Sequence, residues 1–347
     1  MLIFTNKYVV ELKRSAFLYL SVMLSVLACC KQGQSGGDAT TAAEWKLETQ
    51  DGLPVRTVAV DTFEISNPFV LYERKSNMYY MTGDGGSMWV SENLREWTGP
   101  YSVLLTGKDV WYSGNCAITA PEIHKYDGCY YYLASFEKDT PENGLVRSCA
   151  LLVSDNITGP YVPVGGDKPL LATEDAAGHP TFCVDEQGDC FIIYSDSNVH
   201  SGVIKIILLA SDKQSRLGEA YTMFGENPLP FADKGEPVSV DAPFMFITDE
   251  GSAGMLFTAH QGEKSAVAVS YTTNEMGHWL NGPWVAEEAF LSGENVGSAS
   301  LFTDYDGTLV MTVNKDTVLA GRNVKVPAFV KMDSQFEKLK KIGQYIF

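Results

Sequence analysis

Basic side chains are scarce in this chain: 26 Lys and Arg stand against 43 Asp and Glu, a formal net charge of −17. A surface of that sign repels a phosphate backbone, which excludes nucleic acid as a partner. Cysteine is scarce as well. Seven occur in 347 residues, and two of them, Cys29 and Cys30, lie side by side near the N-terminus. The other five (Cys116, Cys129, Cys149, Cys183 and Cys190) are odd in number and irregular in spacing, which is no disulfide framework. Cys183 and Cys190 flank a turn-like stretch and are the one pair that could face each other across a hairpin. No C-x-x-C or H-E-x-x-H occurs, so no metal centre is read from the sequence. Segments with helical periodicity are nearly missing. No apolar run reaches the roughly 20 residues of a membrane-spanning helix.

The longest apolar run, Ser15 to Ala28, follows Lys7, Lys13 and Arg14 and reads as a signal peptide over residues 1–28. Its end, Val26-Leu27-Ala28-Cys29, resembles a bacterial lipoprotein processing site, at which Cys29 becomes the lipidated N-terminus. Residues 29–43 have the Gly, Ser, Thr and Gln content of a flexible tether. The expectation is an extracytoplasmic domain over residues 44–347, held to a membrane through its lipid anchor.

Hydrophobic residues make up 45% of the chain, enough for a core. Their pattern is period-2 and repeats. Runs begin near Met78, Gly128, Gly188, Gly254 and Gly307, each a β-rich segment, and all but the last are followed by a Ser-containing strand. Gly-Pro-aromatic triplets close three of these units, at Gly99-Pro100-Tyr101, Gly159-Pro160-Tyr161 and Gly282-Pro283-Trp284. A unit of 50 to 66 residues suits four strands with loops. A sheet of that size cannot bury both faces alone, and five of them closed in a ring leave few free edges. The reading is an all-β, single-domain, five-bladed β-propeller. Two tandem β-sandwiches fit the composition but not five like units.

The first strand of each propeller blade lines the central channel, so the residues leading into those strands should meet at one funnel mouth. These are Asn67-Pro68, Ala120-Pro121-Glu122, His179-Pro180, Asp241-Ala242-Pro243 and Gly297-Ser298. Four of the five contain Pro, which fixes φ and biases its predecessor.

Together with Ser91, Trp97, Gly99-Pro100-Tyr101, His124, Tyr126, Tyr130-Tyr131 and Asp185 in the same order, these motifs resemble glycoside hydrolase family 43 over nearly the whole chain beyond the tether. The resemblance implies a five-bladed propeller that cleaves arabinose- and xylose-containing glycans with inversion, and hence an oligo- or polysaccharide substrate. It also implies three axial acids: a base before the first blade's Pro, a carboxylate in blade three, and a proton donor in blade four. This sequence departs from that set. It carries Asn67 at the base position, His179 at the blade-three position, Asp241 at the donor position, and Ser298 where many relatives have a metal-linked His. An amide is no base, so a hydrolase of weak or altered activity stands beside a non-catalytic glycan binder and a propeller that serves protein interaction. No cofactor is implied, and the missing axial His argues against a bound calcium.

His179 reads as a sugar contact, a packed polar residue or a base. Asp241 serves as a proton donor if apolar surroundings raise its pKa. Glu122 anchors its strand or binds sugar. Trp89, Trp111, Tyr112 and His260 are candidates for a sugar-stacking wall. His124, His200 and His278 read as surface or structural.

Overall fold

In a computed structural model the chain is described over residues 47–344, apart from 50–51, 106–109, 113–115, 141–143, 167, 173–175, 197, 199–201, 225–237, 249–250, 263, 273–281, 288–294 and 334–337. The segments read as signal peptide and tether, Cys29, His200 and His278 lie outside the described residues.

Among the described residues, twenty-two strands form five antiparallel sheets, and each sheet is one contiguous stretch of chain. Blade one holds β1 (Glu48–Thr49), β2 (Arg56–Ala59), β3 (Phe69–Glu73), β4 (Met78–Thr82), β5 (Met88–Ser91) and β6 (Glu96–Ser102). Blade two runs through β7 (Ala117–Tyr126), β8 (Cys129–Thr140), β9 (Gly144–Ser154) and β10 (Val162–Pro163). Blade three comprises β11 (Ala177–Val184), β12 (Cys190–Asp196), β13 (Ile204–Leu209) and β14 (Arg216–Phe224). Blade four has β15 (Val238–Ile247), β16 (Ala253–Gln261), β17 (Lys264–Thr272) and β18 (Trp284–Ala286). Blade five ends the chain with β19 (Val296–Thr303), β20 (Leu309–Leu319), β21 (Arg322–Asp333) and β22 (Lys340–Gln344). The leading strands touch in cyclic order, β3 to β7 to β11 to β15 to β19 and back to β3, so the sheets close a ring. A five-bladed propeller is therefore the fold, and tandem sandwiches are excluded.

No strand is shared across the closure between blades five and one, because β1 and β2 add to the outer edge of β6. Side chains close that seam instead. Phe302 and Phe329 pack with Tyr79 and Trp97 in one buried cluster, and the Tyr79 hydroxyl donates to Asp304. Between blades one and two, buried Glu73 accepts from Lys125 Nζ at 2.7 Å and from the Tyr130 hydroxyl.

A second set of bonds stitches the inner ring. At four of the five junctions a polar residue on the strand that pairs with a blade's leading strand bonds the start of the next blade. Thr82 Oγ1 donates to Pro121 O at 2.6 Å, and Ser135 Oγ donates to Ala177 O at 2.7 Å. Thr258 Oγ1 accepts from the Ser298 N–H at 2.8 Å, and Asn314 Oδ1 accepts from the Asn67 N–H at 3.1 Å. All four of these polar side chains are buried among apolar neighbours, where a polar group persists when its bond is made.

Just after these bonds the leading strands are bulged. Pairing slips between Thr119 and Glu122, Gly178 and Thr181, Asp241 and Phe244, and Gly297 and Ser300. The residue at each slip has positive φ: Ala120 47°, His179 46°, Ala242 48° and Ser298 48°, with Asn67 at 52° in blade one. A bulge re-aims a side chain, and such a non-glycine conformation costs about 1–3 kcal/mol, tolerated where the surroundings fix it. Here the stitching bonds and the prolines fix it.

The register rules out a Cys183–Cys190 bridge, which the hairpin spacing leaves open. Cys183 pairs with Phe191, and Cys190 pairs with Val184, so the two thiols point to opposite faces of the blade-three sheet. Both are free cysteines, in different packing clusters.

Candidate active site

The bulges converge. Asn67, Ala120, Glu122, His179, Ala242 and Ser298 all line one small axial cavity that opens to solvent. The structure thus brings together residues up to 231 positions apart, because each blade contributes its bulge to the same axis.

Asn67 is held on every polar atom. Its Oδ1 accepts from Ser298 Oγ at 2.6 Å and from Asn314 Nδ2 at 3.4 Å, while its Nδ2 donates to Asp84 Oδ1 at 2.8 Å. The amide is pinned across the closing seam, with the donor end toward Asp84. The Ser298 hydroxyl is committed to that amide oxygen and offers neither imidazole nor carboxylate. The axial residues therefore do not fit a calcium ion held through a blade-five His, and among the described residues no group of three His, Cys, Asp or Glu could hold a metal.

Opposite lies Asp241, clamped by two imidazoles. His260 Nε2 is 3.0 Å from its Oδ1, and His179 Nδ1 is 3.9 Å from its Oδ2. The three side chains remain 29–38% exposed, so the cluster is open to a ligand. Burial pushes the Asp241 carboxyl up, but His179 and His260 together outweigh it, and the net direction is down. That reverses the expectation of a carboxyl raised by apolar surroundings. The bond to Asp241 raises His260, so the cluster keeps its proton on an imidazole. His179 is the member of the cluster that lines the cavity.

Glu122 behaves in the opposite way. Burial pushes its carboxyl up to about 8, and burial holds its partner His124 well below the ordinary imidazole range. His124 is buried between Phe69 and Phe182, with Nε2 2.7 Å from Glu122 Oε2. The pair therefore carries one proton and no net charge at neutral pH. An acid with a raised folded pKa adds stability that is complete below the unfolded value and is lost as pH rises through the folded value. Relative to Glu122→Gln, the wild type should lose melting temperature steadily between about pH 4.5 and pH 8. Parallel thermal scans of the two proteins across that window check this, and equal slopes would refute it.

The expected sugar-stacking wall is largely not there. Trp89 is 6% exposed and packs on Phe63 in the outer part of blade one, away from the cavity. Tyr112 is buried with its hydroxyl donating to Leu105 O at 3.1 Å, and Trp111 packs edge-on against Tyr112 and Phe136. His260 is in the site as a partner of Asp241. Three site residues escaped the sequence reading: Asp84, Asn314, and His124 as the partner of Glu122.

The chain matches the model of glycosyl hydrolases family 43 over residues 60–321. Among solved structures, an endo-arabinase from Bacteroides thetaiotaomicron superposes with a TM-score of 0.68 at 22% identity, covering 85% of this chain and 100% of that one. An endo-1,4-beta-xylanase from the same organism gives 0.65 at 16% identity, covering 84% and 97%. An alpha-L-arabinofuranosidase from Lactobacillus brevis gives 0.60 at 14%, covering 83% and 98%. No curated protein matches the chain. These likenesses agree with the propeller, and the match spanning four blades and the start of the fifth places this chain in glycosyl hydrolase family 43.

Proposed function

We propose that the protein is an extracytoplasmic glycoside hydrolase that cleaves arabinosyl or xylosyl linkages with inversion, using a rearranged set of proton-handling groups. The observation that carries this reading is the clamp of His179 and His260 on Asp241 at the mouth of the axial cavity. An inverting hydrolase needs a proton for the leaving oxygen on one side of the sugar. A carboxylate flanked by two imidazoles, one of which lines the cavity, supplies it. Neutral Glu122, at the cavity wall, is a hydrogen-bond donor suited to a sugar oxygen.

The leader ending Val26-Leu27-Ala28-Cys29 supports lipid anchoring outside the cytoplasm. The arabinanase, xylanase and arabinofuranosidase neighbours support pentose-containing polysaccharides as the substrate class.

A second reading, a glycan-binding lipoprotein without turnover, is favoured by the pinned amide of Asn67 at the base position. Hydrolysis of arabinosyl, xylosyl and galactosyl aryl glycosides by the soluble domain, beside calorimetry with arabino- and xylo-oligosaccharides, separates the two. Turnover on an arabinosyl or xylosyl substrate is expected. Binding without turnover would establish the second reading, and neither binding nor turnover would point to a propeller used for protein contacts.

A further inference from the structure

The base position is empty of a base, yet a carboxylate stands directly behind it. Asp84 lies in the turn Gly83-Asp84-Gly85-Gly86 between β4 and β5, and its side chain is exposed. We propose that Asp84 is the general base of this funnel, replacing the group that Asn67 cannot supply; the inference rests on the hydrolase reading above.

Three features place it. First, Asp84 Oδ1 accepts two bonds, from Asn67 Nδ2 at 2.8 Å and from the Ala120 N–H at 2.9 Å, so one oxygen is anchored to the bulges of blades one and two. Second, no described residue donates to its Oδ2, which leaves an acceptor for water on an exposed carboxylate bonded to two residues, Asn67 and Ala120, that line the axial cavity. Third, the turn is fixed. Asp84 N–H donates to Ser66 O at 2.9 Å, Gly85 N–H donates to Ile118 O at 2.9 Å, and Gly86 N–H donates to Gly83 O at 3.0 Å. Gly83 must be glycine, since a Cβ there would lie 2.5 Å from two carbons of Ile65 and 2.8 Å from Ser66 O. A carboxylate held this firmly by backbone, with one oxygen saturated and the other open, is placed as a base needs to be.

In the step assigned to it, Asp84 Oδ2 takes a proton from a water whose oxygen forms the new bond to the anomeric carbon. The bond from that carbon to the leaving oxygen breaks, and the leaving oxygen takes the proton held by the cluster of Asp241, His179 and His260. One proton is accepted and one donated, and no further reactant is needed.

The test is Asp84→Asn in the soluble domain, assayed on an arabinosyl or xylosyl aryl glycoside that the wild type cleaves. Turnover kcat should fall on the order of 10²–10⁴-fold while KM moves within about threefold. Sodium azide should restore product formation as a glycosyl azide of inverted configuration, because azide attacks without giving up a proton. A thermal melt within a few degrees of wild type shows that the turn is intact. Undiminished turnover of the variant overturns the assignment to Asp84 and leaves the hydrolase reading standing. Loss of turnover with a lowered melt and no azide product also overturns it, making Asp84 a strut for two bulges. A wild type silent on every substrate overturns both.

Discussion

Replacing Asp241 with Asn should lower kcat/KM on the order of 10²–10⁴-fold, because it removes the charge that keeps a proton on the His260 imidazole beside the axial cavity. Asp241 faces three cations or potential cations: His260 at 3.0 Å, His179 at 3.9 Å, and Lys325, which is near enough to favour its ionised form. Losing the carboxylate reverses the balance at His260. The bond to Asp241 is the largest influence raising that imidazole, and with the bond gone, burial and the Lys325 charge both act to lower it. In the wild type the active, protonated cluster persists to a pH above the ordinary imidazole value of 6.5 and is lost as pH rises through the raised value. In Asp241→Asn the residual rate should fall off at lower pH, and the His260 imidazole resonances should titrate at lower pH than in the wild type. The resonance shift is independent of turnover. A variant that kept its rate and its His260 titration would show that the clamp takes no part in the chemistry.

Why this cluster was only half legible in the sequence follows from sheet geometry. Asp241 and His179 stand beside the prolines that mark the start of blades, so chain order alone brings them to the axis. His260 is 19 residues beyond Asp241. The two meet because β15 and β16 pair with Asp241 opposite Thr258, which puts His260 two positions along on the same face of the sheet. That register depends on turn length and on the bulge after Asp241. A one-residue slip would have turned His260 away.

The aromatics failed for the same reason. Trp89 sits in the alternating run Met88–Ser91, and alternation says that successive side chains face opposite sides, not which side faces the axis. Within blade one that residue points into the cluster around Phe63 and Trp97. The blade-ring stitching was legible in principle: Thr82, Ser135, Thr258 and Asn314 are polar residues that follow apolar runs within their strands. Their meaning emerges only when neighbouring blades are placed side by side. Asp84 was hidden in another way. Gly-Asp-Gly-Gly between two apolar runs is a hairpin signal, and Asp in such a turn needs no further explanation. Only its two bonds, to Asn67 and to Ala120, separate it from an ordinary turn residue.

Exchanging the amide and the carboxylate should restore what Asp84→Asn loses. The bond between Asn67 Nδ2 and Asp84 Oδ1 spans 2.8 Å with a donor on one side and an acceptor on the other. In the double variant Asn67→Asp, Asp84→Asn the same pair remains with its direction reversed, and the net charge is unchanged. The carboxylate at position 67 then accepts from the Ser298 hydroxyl and from Asn314 Nδ2, both of which already donate to the atom it replaces. Asp84 Oδ1 accepts from both Asn67 Nδ2 and the Ala120 N–H, so an amide nitrogen turned toward position 67 leaves the Ala120 N–H without its acceptor, and the melt of the double variant should fall. Turnover should return to within about tenfold of the wild type from a deficit on the order of 10²–10⁴ in Asp84→Asn alone. The single variant Asn67→Asp behaves differently. It sets two carboxylates at hydrogen-bond distance with no donor between them, so one proton is retained by the pair and stability becomes pH-dependent, falling as pH rises and the second proton leaves. Thermal melts of the four proteins against pH, read beside their rates, complete the cycle. Recovery in the double variant and acid-dependent stability in Asn67→Asp are expected together, since both follow from one contact. A double variant as inactive as Asp84→Asn would mean that a carboxylate at position 67 does not take over the role assigned to Asp84.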